Sequence, residues 1–177
     1  NELQALPAAQ ISNVETLTIR AAGDLGEKGG AGLDLTNASF STVNVTIAND
    51  ADLDVATTAD VNLSGITGAI DLDGGKTVSV SDATANQNIT VGANTAATGT
   101  VTVTDTKQGT GNIAVDGGTD STVTSTVTAT AAVAAGTITV GANTAATGST
   151  TVVQNLASDG VGGDLTGGAV TVTGGDT

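Results

Sequence analysis

The stretch Ile89-Thr90-Val91-Gly92-Ala93-Asn94-Thr95-Ala96-Ala97-Thr98-Gly99 recurs without change as Ile138 to Gly148, the two copies starting 49 residues apart. A unit of this length repeated in tandem marks a repeat architecture, in which each unit buries its apolar face only against its neighbours. Inside the unit, the alternation Ile89-Thr90-Val91 reads as a strand. Gly92-Ala93-Asn94 reads as a corner, because glycine and asparagine accept left-handed backbone.

Looser versions of the same element fill the rest of the chain. Leu33-Asp34-Leu35, Val43-Asn44-Val45, Leu53-Asp54-Val55, Val61-Asn62-Leu63, Ile70-Asp71-Leu72 and Val78-Ser79-Val80 come before it, and Val101-Thr102-Val103, Ile113-Ala114-Val115 and Val170-Thr171-Val172 lie beyond. In each, the flanking apolar residues face inward and the middle residue outward, as pleating requires. The early strands start 8 to 10 residues apart, so two of them make a coil of 17 or 18 residues; after Val80 the coil lengthens to about 24, and the 49-residue repeat is two such coils. The expected fold is all-β, a parallel β-helix or β-roll-like solenoid of short stacked strands. Two small β-sandwiches would also place short strands at this spacing. A sandwich needs a bulky core between its sheets, and Phe40 is the one aromatic residue in the chain.

Three regions follow from these changes of rhythm. Residues 1–32 read as an N-terminal cap, with a short helical turn near Pro7, and a glycine-rich loop. Residues 33–82 read as a short-coil acidic solenoid, and 83–177 as a longer-coil, Thr-rich solenoid. They are expected to form one continuous domain, a piece of something longer.

Charge narrows the partners. Four Lys and Arg against 18 acids give a net charge of -14, which is the wrong sign for nucleic acid and leaves divalent cations as counter-charge. No apolar run approaches the ~20 residues that span a bilayer, so the chain is not expected to be transmembrane. Without Cys or His there is no disulfide framework and no imidazole base; with one Phe and one Arg there is little to hold a sugar for carboxylate catalysis. Catalysis is not expected. Gly160-Val161-Gly162-Gly163 lacks the Lys and the strand-to-helix context of a phosphate loop.

The acids themselves are the candidate site. Stacking alternate strands places Asp54 one rung from Asp71 on one sheet, and Asn44 over Asn62 on the other. Rungs are about 4.8 Å apart, so stacked carboxylates repel unless neutralised, and Ca2+ takes six to eight oxygens of this kind. The expected ligands are Asp34, Asp52, Asp54 and Asp71, with Asp73 and Asp116 at the Asp-Gly-Gly corners. The plain alternative is that these acids are solvated turn residues that keep exposed sheet from aggregating. The Asn pair reads as a structural ladder. The outward Thr rows read as good strand surface, though a flat Thr array is also what ice-binding solenoids present; the change of coil length argues against one continuous face.

Asn13-Val14-Glu15-Thr16-Leu17 resembles a phrase that recurs in bacterial surface-layer and related type I-secreted repeat proteins. Gly29-Gly30-Ala31-Gly32-Leu33-Asp34 resembles the opening of the RTX nonapeptide, departing from it where the apolar residue comes one place early, at Leu35. The resemblance implies export to the extracellular side of a bacterial cell surface, calcium-dependent folding, and a structural role in a self-assembling lattice, filament or biofilm matrix. Homo-oligomerisation and contact with cell-surface polysaccharide are the partners it implies. The competing reading is a spacer in a secreted RTX-type adhesin.

Overall fold

A computed structural model describes residues 14–26, 32–129, 133–158 and 164–175. The cap and Pro7, Gly29 to Ala31 and the Gly160 to Gly163 stretch lie outside the described residues.

In chain order the strands are β1 (Thr16–Arg20), β2 (Leu33–Leu35), β3 (Thr42–Ile47), β4 (Ala51–Val55), β5 (Asp60–Ser64), β6 (Ile70–Gly74), β7 (Val78–Asp82), β8 (Ile89–Val91), β9 (Val101–Asp105), β10 (Ile113–Val115), β11 (Ser121–Ala129), β12 (Val133–Ala134), β13 (Ile138–Val140), β14 (Thr150–Ser158), β15 (Leu165–Thr166) and β16 (Val170–Val172). The chain visits two seven-stranded sheets in turn. One has the order β1-β3-β5-β7-β9-β11-β14, the other β2-β4-β6-β8-β10-β13-β16, and β12 pairs β15 as a short third side of the last two coils. Every strand pairing among the described residues is parallel. Antiparallel sandwiches are thereby excluded, and the chain is an all-β solenoid whose core lies between two facing sheets.

That core is built from ladders of like residues. Ile70, Ile89, Ile113 and Ile138 stack in register on the second sheet, and Val43, Val61, Val78 and Val101 on the first; all are buried. Medium-sized branched side chains fill the two-sheet interior, with Phe40 the one buried aromatic residue, because each touches its own copy one rung away. The duplicated strands β8 and β13 lie two rungs apart with β10 between them, the paired isoleucines 24 and 25 residues apart, so the repeat is two coils.

Coil length varies, yet register holds. The first sheet takes up 17 residues from Val61 to Val78 but 23 from Val78 to Val101. The surplus goes into the corners. In one of them Gln108 is wholly buried: its amide donates to the carbonyls of Gly111 and Gly136, each at 3.0 Å, while its oxygen accepts from the Ser125 hydroxyl and from the Gln154 amide. The same constancy keeps outward Ser79, Thr102, Thr122 and Thr151 in one row, so the expected break in the Thr face does not occur.

A candidate acidic face and the staples beside it

Stacked β2, β4 and β6 place their carboxylates in two rows. Asp34 pairs with Asp54 and Asp54 with Asp73; Asp52 pairs with Asp71. The expected Asp54–Asp71 alignment is off by two residues, because Ala51, and not Leu53, takes the place opposite Ile70. A two-residue slip leaves every side chain on its expected face, so alternation alone could not detect it. On the other sheet the Asn44–Asn62 alignment holds, the Asn62 amide donating to Asn44 Oδ1 at 2.9 Å.

The six expected ligands separate into three roles. Asp34 sits in a tight local turn: the Thr36 hydroxyl and N–H both donate to its Oδ1, at 2.6 and 2.9 Å, and hold its carboxyl below the usual range. Asp73 and Asp116 are buried and reach up one coil. The N–H groups of Asn94 and Thr95 donate to Asp73 Oδ1 at 2.7 and 3.0 Å, and the Asn94 amide to Oδ2 at 2.7 Å. One repeat later, Asn143 and Thr144 do the same to Asp116. Thus Asp-Gly-Gly and Gly-Ala-Asn-Thr corners alternate up the stack, each Asp stapling the Asn-Thr of the next coil.

Stapling is the general use of corner Asp and Asn. Asp50 Oδ1 accepts from Ala69 N–H, Asn88 Oδ1 from Asn112 N–H, Asn112 Oδ1 from Thr137 N–H, and Asp120 Oδ1 from Ser149 N–H, at 2.7 to 3.0 Å. Each bond satisfies a backbone donor that leaves the sheet ladder at a corner and would otherwise lack a partner. These residues were not foreseen as a class. The signal available was their position just outside the strand triplets, where backbone N–H groups lose their ladder partners.

Asp52, Asp54 and Asp71 remain. Among the described residues no hydrogen-bond donor reaches them. Partial burial raises all three carboxyl groups; Asp54 and then Asp73 add repulsion at Asp52, Asp73 and then Asp34 at Asp54, and Asp73, Asp52 and Asp54 at Asp71. Among the described residues no group of three or more His, Cys, Asp or Glu side chains stands at metal-holding geometry. The three form an outward patch of like charge on adjacent rungs. Asp54→Asn removes the middle charge of the Asp34–Asp54–Asp73 row and is expected to stabilise the fold by about 0.5 kcal/mol at low ionic strength, since like charges directly opposite destabilise a sheet. Urea melts should show that gain disappear at about 1 M salt, where the Debye length falls to ~3 Å; a loss of stability at low salt would contradict repulsion.

One open depression lies elsewhere, lined by residues 36–41 with Ala56 and Thr58. It contains no titratable side chain. Among the described residues no helix is long and apolar enough to cross a membrane. No family model, no curated protein and no solved structure matches the chain.

Proposed function

We propose that this protein is a structural repeat module of the bacterial cell surface, extracellular, which associates with copies of itself into a lattice, filament or matrix and is stabilised by calcium on its acidic face. The observation that carries this reading is the outward patch of Asp52, Asp54 and Asp71 on adjacent rungs of a stack whose two seven-stranded sheets grow by parallel main-chain pairing, the mode by which one strand edge accepts another. Calcium fits as the counter-ion because Asp52, Asp54 and Asp71, which no hydrogen-bond donor among the described residues reaches, present carboxylate oxygens on neighbouring rungs. The surface-layer and RTX resemblances, the acidity and the lack of cysteine support the location.

The adhesin-spacer reading differs in self-association: a spacer carries a binding tip elsewhere in its parent protein and does not assemble with copies of itself. Sedimentation and electron microscopy of purified protein in millimolar calcium and in EDTA separate the two. Sheets or filaments in calcium support assembly. Protein that is monomeric in both, but melts higher in calcium, belongs to a spacer. The triple variant Asp52→Asn/Asp54→Asn/Asp71→Asn should lose the calcium effect, which at about a hundredfold excess over Kd is worth about 2.7 kcal/mol. A melting temperature indifferent to calcium in the unaltered protein rules out the metal.

A further inference from the structure

Two carboxylates point into the core, where the sequence reading placed none. Asp82 ends β7 and Asp105 ends β9; they are in register on adjacent rungs and each is 1% exposed. One oxygen of each is held by a local N–H, Thr84 N–H to Asp82 Oδ1 at 2.9 Å and Lys107 N–H to Asp105 Oδ1 at 2.8 Å. The other oxygen of each, Oδ2, is buried and receives no hydrogen bond. Two ionised carboxylates a rung apart in an apolar interior are the arrangement that least tolerates two negative charges.

Among the described residues no other charge faces the pair. β5 carries Asp60 at its far end and in its last residues only Asn62, Leu63 and Ser64, followed by Gly65, which has no side chain. β11 and β14 carry no ionisable residue. The next coil places Ser125 opposite Asp105, but its hydroxyl donates to Gln108. On the second sheet, Asp71 points outward, and Asp73 and Asp116 are stapled at the opposite corner. The corner at 83–88 is uncharged, and the Lys107 side chain is exposed. Calcium is short of oxygens here, because it needs at least six and one oxygen of each Asp already accepts an N–H.

We propose that Asp82 and Asp105 share a single proton, Oδ2 to Oδ2, making the joint between the short and long coils an acid-tightened switch. On acidification one proton is taken from solvent and the pair passes from two negative charges to one; on alkalinisation the proton returns and the joint is strained by repulsion. The titration of the groups agrees in direction. Burial pushes Asp105 up to about 6 against the pull of the Lys107 N–H, with the Asp82 charge adding to the rise; burial also raises Asp82, opposed by the Thr84 and Ala83 N–H groups and the Thr84 hydroxyl. Folded values raised above 3.8 mean that the stabilising contribution is complete below that pH and is lost as pH rises through about 6.

The test is a set of thermal melts in EDTA from about pH 4 to 8, for the unaltered protein, Asp105→Asn and Asp82→Asn. The unaltered protein should lose on the order of 5 °C across this range. Asp105→Asn, whose amide donates permanently where the shared proton did, should show a shallower slope than the unaltered protein and melt above it at pH 8. Carboxyl carbon NMR of the unaltered protein should show two separated titration steps, one of them above about pH 5.5. A pH slope as steep in both single variants as in the unaltered protein, or two carboxyls that titrate together near 4, would overturn the shared proton; the slope that Asp52, Asp54 and Asp71 contribute is common to all three proteins. So would a pH slope that calcium abolishes in the unaltered protein alone, since a cation would then occupy the pair.

Discussion

Asp73→Ala is expected to lower the melting temperature by roughly 8 °C. The Asp73 carboxylate accepts three hydrogen bonds from the coil above. Bonds to an ionised acceptor contribute about 1.5 to 3 kcal/mol each when the acceptor is lost with its donors left buried. Asn94 and Thr95 are exposed, so water re-satisfies part of that loss and the net figure falls to about 2 to 3 kcal/mol, which for a chain of this size corresponds to that shift. Asp73→Asn discriminates the mechanism. Its oxygen still accepts the two backbone N–H groups, but its amide then meets the Asn94 amide donor to donor, so about half the loss should remain. Asp116→Ala should cost about as much, and the double variant about the sum, because the partners are Asn94 and Thr95 in one case and Asn143 and Thr144 in the other. An unchanged melting curve for Asp73→Ala would show that the staple is dispensable.

Gly74→Val should destabilise by on the order of 4 kcal/mol. Gly74 has φ of 84°, a conformation that costs a β-branched residue about 1 to 3 kcal/mol by itself. A Cβ there would also lie 2.0 Å from the Val55 carbonyl oxygen. That oxygen cannot give way easily, because Val55 and Gly74 are partners in the β4–β6 ladder. Gly23 is the control: a Cβ would meet nothing within 4 Å, and no positive φ is required. Gly23→Ala is expected to be neutral or to stabilise by about 0.5 kcal/mol through the unfolded chain. Equal urea midpoints for the two variants would remove close coil approach as the reason for glycine at the Asp-Gly-Gly corner.

These two exchanges touch the same junction and explain the duplicated segment. Identity between Ile89–Gly99 and Ile138–Gly148 is a packing requirement, since each copy's Asn-Thr corner must accept an Asp staple from the coil before and lie on a Gly-Gly corner in left-handed backbone. The acidity follows in part from the same demand. Corner carboxylates such as Asp50, Asp73, Asp116 and Asp120 serve as acceptors for the next coil's backbone, which leaves Asp52, Asp54 and Asp71 as the patch with oxygens to offer a cation.

Much of the fold was legible in the residues. Apolar-x-apolar triplets located most of the strands, β2 to β10, β13 and β16 among them, and the 49-residue spacing gave the two-coil repeat, because period-2 patterning and the distance between repeats are properties of the chain alone. β14 and the 150–158 segment were not foreseen, since Thr150-Thr151-Val152-Val153-Gln154 breaks the alternation with two adjacent valines. What only the tertiary structure decided was register and commitment. Sliding β4 against β6 by two residues changes no side chain's face, so the Asp54–Asp73 pairing depends on which corner lengths let the coils close. Whether an acid is a staple, an outward charge or half of a buried pair is likewise fixed by a partner 17 to 29 residues away, and that partner is set by how many residues each corner absorbs before the chain returns to the same sheet.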